Sequence, residues 1–174
     1  MIDYTKLNKS FNKQNIPFQY IECISQADKY KLAEFIYNNT DNFVMNTFAL
    51  LWESRNFWNE FRPLIMFDKS TGKIVGLHAF ANKKIDNKMY LKTYYIVIDK
   101  TQRGKGIAKK LTMQVLSDFQ NDYDWFFVNS VEGSDGEYFY RKTISNRPSK
   151  KVNEFGTVDL LFKGSISKIL KKNA

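Results

Sequence analysis

The chain has 174 residues, 43% of them apolar, and a net charge of +9 at neutral pH. A chain of this length buries a core without disulfides or a structural metal, so we expect one domain over 1–174. A single cysteine, Cys23, excludes an intramolecular disulfide and a zinc finger, and a single histidine, His78, excludes a multi-histidine metal site. No apolar run is long enough to span a membrane and no apolar signal core is present, which predicts a cytoplasmic protein without a membrane partner.

The first 63 residues show helix and strand patterns in turn. An amphipathic segment over 1–17 leads to a strand over 18–24. Ser25 then stands where a helix N-cap would precede apolar residues at helical spacing. A further helix is predicted over 46–60, and Pro63 ends it.

The next stretch predicts an antiparallel meander. Strands over 64–67 and 74–80 are joined by a polar turn that contains glycine, and a second turn over 86–88 leads into a strand over 89–98. The remaining predicted elements are a helix over 107–121, a strand over 125–128, a helix over 134–143, a strand over 157–162 with a partner near 151–153, and a short basic helix at the end. This order predicts a mixed α/β fold.

The most informative segment is Arg103-Gly104-Lys105-Gly106-Ile107-Ala108, where a polar loop opens a helix. Glycines let the backbone approach a ligand, and the first helical turn presents unpaired N–H groups at the positive end of its dipole. These features predict that the loop binds a phosphate or pyrophosphate. A dinucleotide fingerprint and a P-loop both fit poorly, because Lys109 replaces the third glycine of the first and Gly106 replaces the Ser or Thr of the second. A loop that binds no ligand is the remaining alternative.

The same segment resembles the R/Q-x-x-G-x-G/A signature of the GCN5-related N-acetyltransferase (GNAT) family. The order of the elements is also the family's order. Further along, Tyr138-Phe139-Tyr140-Arg141-Lys142 resembles the family's A-x-x-(F/L)-Y-x-K motif, and the likeness covers roughly 64–163. The resemblance implies a GNAT-like mixed, mostly antiparallel sheet that is flanked by helices and splayed between strands four and five.

The resemblance also implies an acetyltransferase in which an amine attacks acetyl-CoA directly. The backbone N–H groups of Arg103 to Ala108 would hold the pyrophosphate, and the main chain of Ile96, Val97 and Ile98 would pair with the pantetheine arm. A backbone N–H there, that of Ile98, would polarise the thioester carbonyl. Tyr140 matches the family tyrosine that protonates the departing thiolate. The acceptor would be a small molecule or a protein or peptide that bears an amine, and the protein would be a monomer or homodimer.

The proton acceptor does not carry over from the family. Many members place a glutamate on strand four, and the corresponding residue is Lys92, which accepts no proton while it is protonated. Glu132, just after strand five, is the best substitute. Tyr94, Tyr95, a water chain, or an amine that arrives already deprotonated are the alternatives.

Two other functions are compatible with these observations. The missing carboxylate on strand four fits a non-catalytic, regulatory module that binds CoA. A basic segment over 142–174 carries +6 of the net charge, with eight basic and two acidic residues, and fits a GNAT-related protein that acts on nucleic acid. Lys168, Lys171 and Lys172 would be its contacts.

Overall fold

The computed structural model describes residues 4–22, 25–40, 64–154 and 156–174. Its helices are α1 (Tyr4–Lys13), α2 (Gln26–Asn39), α3 (Ile107–Phe119), α4 (Asp135–Thr143) and α5 (Ile166–Asn173). Its strands are β1 (Phe18–Glu22), β2 (Leu64–Asp68), β3 (Ile74–Ile85), β4 (Lys88–Ile98), β5 (Trp125–Val131), β6 (Ser149–Val152) and β7 (Val158–Ser165). The helix predicted over 46–60 and Cys23 lie outside the described residues. None of the described helices is long and apolar enough to cross a membrane.

The strands follow the order β1-β2-β3-β4-β5-β7-β6. The pairs β1–β2, β2–β3, β5–β7 and β6–β7 are antiparallel, whereas β4 and β5 are parallel. A parallel pair needs a crossover, and α3 supplies it between β4 and β5. The mixed, mostly antiparallel sheet and the order of its elements confirm the predicted fold class.

The β3–β4 hairpin is closed by the turn that the sequence predicted. Its central residues, Asp86 and Asn87, have φ angles of 47° and 61°. Both angles positive is the signature of a type I′ turn, whose twist matches that of the flanking strands and which Asp and Asn tolerate best after glycine. β3 continues to Ile85, five residues beyond the predicted end at Phe80.

The described chain divides into two compact units. The first comprises the chain up to Ala81 together with Tyr95–Lys110. In it, α1 packs on β1, because the Phe11 ring stacks on the Tyr20 ring at 5.4 Å between centroids. Asn8 of α1 also binds the main chain of Tyr20: its side-chain amide donates to the Tyr20 carbonyl at 2.8 Å and accepts from the Tyr20 N–H at 2.7 Å.

The second unit comprises Asn82–Tyr94 and Leu111–Ala174. In it, α4 and α5 cover one face of β7. The Tyr140 ring of α4 lies 5.6 Å from the Phe162 ring, and a Cβ at Gly164 would lie 3.0 Å from Ile169 of α5. The Asn173 amide also donates to the Thr143 carbonyl at 2.8 Å. That residues 1–174 form a single domain stays a prediction.

The parallel pairing of β4 with β5 is short. It runs from Tyr90 opposite Trp125 to Thr93 opposite Val128, although β4 continues to Ile98 and β5 to Val131. The pairing of the two strands ends after these four pairs, at the place where the resemblance implied a splay.

The buried His78 of β3 predicts how the stability of the first unit changes at acid pH. The side chain is 1% exposed, its Nδ1 lies 3.2 Å from the Tyr20 hydroxyl, and its Nε2 has no partner in the described residues. Burial lowers the pKa of His78 to about 3. The unfolded chain therefore binds an extra proton between about pH 3 and 6.5, so stability should fall as the pH drops through that window, by on the order of 3–5 kcal/mol.

We expect His78→Asn to lose less unfolding free energy than the wild type between pH 7 and pH 4, measured by urea unfolding at each pH. Tyr20→Phe is the control, because it removes the hydroxyl partner and keeps the titrating imidazole. Equal losses in the wild type and His78→Asn would contradict the assignment of the acid sensitivity to His78.

Candidate active site

The loop that follows β4 begins with a local cap. The Asp99 carboxylate accepts from the Thr101 N–H at 2.7 Å and from the Thr101 hydroxyl at 2.6 Å, which closes a 3₁₀ turn over Lys100–Gln102. The hydrogen bonds from Thr101 lower the pKa of Asp99, because they favour its charged form. The Asp99 N–H donates to the Val75 carbonyl at 2.9 Å and so ties the start of the loop to β3.

Asn39, at the end of α2, anchors the loop from outside. It is 6% exposed, and its Oδ1 accepts from the Lys100 N–H at 2.7 Å while its Nδ2 donates to the Phe35 carbonyl at 2.8 Å. The Arg103 guanidinium donates to the Asn39 carbonyl through Nη2, and to the Ile98 carbonyl through Nε at 3.0 Å. Sequence reasoning missed Asn39, because no local pattern links it to a residue 61 positions away.

The Arg103 side chain binds main-chain groups, and the binding of pyrophosphate by its N–H group stays a prediction. Its guanidinium donates hydrogen bonds to two main-chain carbonyls, and its main-chain N–H donates to the Lys100 carbonyl at 3.4 Å. The side chain thus ties the loop to the last residue of β4 and to the last residue of α2. The N–H groups that lack an acceptor begin one residue later, at Gly104.

The segment from Gly104 to Lys109 forms an open cradle of N–H groups. None of these six N–H groups donates to a described residue, and the first helical bond runs from the Lys110 N–H to the Gly106 carbonyl at 3.0 Å. Gly104 and Gly106 have φ angles of 77° and 75°, and a Cβ on either would meet no atom within 4 Å. Free donors, open space and the helix dipole together fit a pyrophosphate.

The charge around this cradle is positive. Lys105, Lys109 and Lys110 are exposed, and the Lys105 ammonium donates to the Gln102 side chain at 3.3 Å.

The upstream residues Val97 and Ile98 are buried, and Gly76 of β3 lies against them. A Cβ at Gly76 would lie 1.9 Å from Met66 Cε and 3.1 Å from the Val97 carbonyl oxygen. A side chain at Gly76 would therefore have to displace the end of the Met66 side chain and would press against the Val97 carbonyl.

Tyr140 is held by a well-capped helix. The N-cap residue Ser134 accepts from the Glu137 N–H, and the Glu137 carboxylate binds the Gly133 N–H at 2.6 Å and Arg141 at 2.7 Å. Tyr140 is 5% exposed, and burial raises its pKa well above the ordinary value. The phenol stays protonated at neutral pH, as a proton donor must.

Two glycines lie near the start of this helix: Gly133 just precedes it, and Gly136, in its first turn, stands where the family motif has alanine. Gly133 has a φ angle of 82° with open space over its Cα, whereas a Cβ at Gly136 would lie 2.7 Å from the Ser130 hydroxyl. Gly136 therefore lets α4 approach β5, and its space is already filled by Ser130 and Ser134.

Glu132 lies at the surface. Its side chain is 40% exposed, and its carboxylate forms an ion pair with Lys150 of β6. The Glu132 N–H donates to the Val158 carbonyl at 2.9 Å, which fixes the main chain at the end of β5.

Lys92 lies in a different environment. It is 8% exposed, and its ammonium sits 5.0 Å from the centre of the Phe127 ring. Burial, and secondarily the charge of Lys83, lowers the pKa of Lys92 to about 8. The sequence suggested an ordinary protonated lysine, but this amine loses its proton far more easily than an exposed one does.

The predicted site residues fall in both units. Residues 96–108 belong to the first unit, whereas Lys92, Glu132 and Tyr140 belong to the second. The side chains of Tyr94 and Tyr95 lie outside what the structure describes. Among the described residues there is no group of three or more His, Cys, Asp or Glu that could hold a metal.

No family model matches the chain, and no curated protein matches it. Solved structures do. An acetyltransferase of the GNAT family from Desulfovibrio desulfuricans matches with a TM-score of 0.63 and 10% identity, over 86% of this chain and 99% of its own. The chain has the GNAT fold.

Two further GNAT-fold matches carry CoA. One is the NatC complex bound to Gag peptide and CoA, with a TM-score of 0.59 and 14% identity over 85% of this chain and 98% of that one. The other is PaiA N-acetyltransferase from Thermoplasma acidophilum in complex with CoA, with a TM-score of 0.57 and 13% identity over 84% and 98%. At these identities the likeness establishes the fold.

The anchor at Asn39 gives a prediction for the loop. We expect Asn39→Ala to lower the free energy of unfolding by about 1 kcal/mol, because it removes the acceptor of the partly buried Lys100 N–H. Urea unfolding measures the loss. Asn38→Ala, an exposed position on the same helix, is the matched control, and an equal loss in both variants would contradict the anchoring role.

Proposed function

We propose that the protein is an acetyl-CoA-dependent N-acetyltransferase. The observation that carries this proposal is the cradle of free N–H groups from Gly104 to Lys109, which opens α3. It has the donors, the space and the positive charge that a pyrophosphate requires. The GNAT fold and the two CoA-bound neighbours support acetyl-CoA as the molecule that supplies this pyrophosphate.

When bound, acetyl-CoA supplies an acetyl thioester for direct attack by an amine. The residues of the chain would then act at three places. The N–H groups from Gly104 to Ala108 bind phosphate oxygens, with Arg103 holding the loop in shape. The main chain of Ile96, Val97 and Ile98 binds the pantetheine arm, and the Ile98 N–H donates to the thioester carbonyl oxygen. One such donor is worth about 3 kcal/mol in the transition state.

Tyr140 is the proposed proton donor to the departing sulfur. Its phenol is protonated at neutral pH, because burial raises a pKa that is already well above 7, and no described residue forms a hydrogen bond with its hydroxyl. Glu132 is the proposed proton acceptor from the amine. Positioning and these proton transfers are the protein's contributions to the reaction.

A single negative charge placed in the cradle tests whether it binds acetyl-CoA. We expect the wild type to bind acetyl-CoA with micromolar affinity in a calorimetric titration, and Gly106→Glu to weaken it by at least about tenfold, or about 1.4 kcal/mol, because the new carboxylate fills the cradle and repels phosphate. Gly72→Glu is the matched control, since Gly72 has a similar φ of 68° and open space in the β2–β3 turn. A folded wild type that binds no acetyl-CoA would refute the proposal.

The role of Tyr140 predicts a split between binding and turnover. Tyr140→Phe should keep the affinity for acetyl-CoA and lower kcat by about 100-fold, the low end for loss of a general acid. Release of free thiol from acetyl-CoA in the presence of an amine measures kcat. Unchanged kcat in the variant would remove Tyr140 from the reaction.

The ion pair of Glu132 provides the test of the proton acceptor. Glu132→Gln should lower kcat by about 100-fold, whereas Lys150→Gln, which breaks the same surface pair and leaves the carboxylate, should retain the activity. If both variants lose activity equally, the pair is structural; if neither does, Glu132 is not the acceptor.

A non-catalytic CoA-binding module is the second candidate, because Lys92 occupies the place of the family's glutamate. Affinity for acetyl-CoA without transfer to any amine would favour it.

A further inference from the structure

Strand β6 forms an edge of the sheet in the second unit. It ends the strand order next to β7, and among the described strands it has no other neighbour. All four of its residues are exposed, and Val152 at its end is 65% exposed. An edge strand offers a row of main-chain donors and acceptors to an incoming chain. The direction of these groups therefore decides whether β6 can accept another strand.

The turn between β6 and β7 shows which main-chain groups of β6 point outwards. The Asn153 N–H donates to the Thr157 carbonyl at 2.9 Å, so these two residues form a hydrogen-bonded pair. Such pairs recur at every second residue of an antiparallel ladder. Lys151 therefore directs its N–H and carbonyl groups towards β7, whereas Lys150 and Val152 direct theirs away from it.

The neighbouring strand gives the same direction. Val158 of β7 is opposite Val152, and its carbonyl accepts from the Glu132 N–H at 2.9 Å, on the side of β5. This carbonyl points away from β6, as it does in a pair that is not hydrogen-bonded. No described residue outside the ladder forms a hydrogen bond with the main chain of Lys150 or Val152. The N–H and carbonyl groups of both residues are thus open to a partner on the outer edge.

The charge along this edge is positive. From Arg147 to Val152 the chain carries three basic residues and no acidic one. Arg147 and Lys151 are exposed and form no ion pair with a described residue. Asp159, the residue opposite Lys151 on β7, accepts from the Asn153 amide at 3.1 Å instead. An incoming strand is therefore attracted to this edge when it carries acidic side chains.

The lysines also disfavour a second copy of the chain as the occupant. Any antiparallel pairing of β6 with its copy that covers three or more residues sets Lys150 or Lys151 opposite a lysine. Like charges at directly opposite positions destabilise a strand pair, whereas opposite charges stabilise it. An acidic segment satisfies the same main-chain groups without that repulsion.

We propose that β6 is a docking edge for an extended acidic segment of another protein, which adds to the sheet as a further antiparallel strand. The main chain of Lys150 and Val152 binds the main chain of the segment, and the lysine side chains select acidic residues. The exposed Val152 side chain contacts an apolar residue of the segment. This inference does not depend on the proposed function, because it uses neither the cradle nor Tyr140.

The first experiment tests the preference for an acidic partner. The probe is the peptide acetyl-Thr-Val-Glu-Glu-Thr-Tyr-amide, whose glutamates lie opposite Lys151 and Lys150 when its valine lies opposite Val152. It is titrated at low salt into the wild type, and backbone amide shifts are followed by NMR. We expect saturable shifts at β6 and β7, and none with the same peptide carrying lysines in place of the glutamates.

A charge reversal locates the binding. Lys151→Glu should weaken the affinity for the acidic peptide at least about fivefold. Lys168→Glu reverses the charge of an exposed lysine on α5 and should keep the affinity. Equal losses in the two variants would mean that the peptide is attracted by the net charge alone, and would overturn the proposal.

The second experiment tests whether the peptide adds as a strand. Val152→Pro removes an N–H that points outwards, and an edge strand tolerates proline at such a position because its bonds to β7 remain. We expect Val152→Pro to bind the acidic peptide at least about fivefold more weakly than Val152→Thr, which keeps the N–H and the branched side chain. Equal affinity of the two variants would overturn strand addition.

Hydrogen exchange gives the same decision without a substitution. The amides of Lys150 and Val152 in the wild type should exchange more slowly when the acidic peptide is bound, because their N–H groups then donate to it. Unchanged exchange at a saturating peptide concentration would overturn the proposal, even if Val152→Pro disturbs the pairing of β6 with β7.

The remaining outcomes also decide the proposal. A wild type that binds neither peptide overturns it and leaves the lysines as protection of a bare edge against pairing. A dimer in sedimentation that Val152→Pro dissociates assigns the edge to a second copy of the chain. A single-stranded oligonucleotide that displaces the acidic peptide and binds more tightly assigns the edge to nucleic acid. Either of these two results overturns the proposal, and neither bears on the binding of acetyl-CoA.

Discussion

The loop after β4 depends on one buried amide. The Asn39 side chain accepts a hydrogen bond from the Lys100 N–H, and its main-chain carbonyl accepts one from the Arg103 guanidinium. The end of α2 therefore holds the loop at Lys100 and at Arg103. A glycine-rich loop has many conformations to lose, and a free N–H cradle is useful only when that entropy has been removed before the ligand arrives. Arg103 also helps to order the loop, because its guanidinium binds the carbonyls of Ile98 and Asn39. The cradle itself is formed by main-chain N–H groups.

Burial shifts the pKa of two groups in the second unit. A low-dielectric environment disfavours the charged form of any side chain, so it raises the pKa of Tyr140 and lowers that of Lys92. Tyr140 is neutral at neutral pH with or without this shift, whereas the shift brings the pKa of Lys92 to about 8 and so changes its protonation near neutral pH. Glu132 remains at the surface in its pair with Lys150. The proposed proton donor, Tyr140, is therefore buried, whereas the proposed proton acceptor, Glu132, is exposed to solvent.

The distribution of charge bears on the kind of partner that the protein would bind. A net charge of +9 by itself suggests only a polyanionic partner, and the basic helix α5 is one place to look for it. In α5, Ile166 and Ile169 are buried while Lys168, Lys171 and Lys172 are exposed, so this helix docks by its apolar side and its lysines are solvated.

Local patterns were enough to predict the order of the elements, the Asp86–Asn87 turn, the helix over 134–143 and the glycine loop that leads into a helix. Each of these depends on neighbours within a few residues, which the sequence displays directly. Family resemblance added the GNAT fold and a register for Tyr140. Three features lay beyond that reasoning: Asn39 as the anchor, Glu132 in a pair with Lys150, and the depressed pKa of Lys92. These were decided only by tertiary structure, because each depends on side chains or strands that lie far apart in the chain and meet through the sheet and its helices.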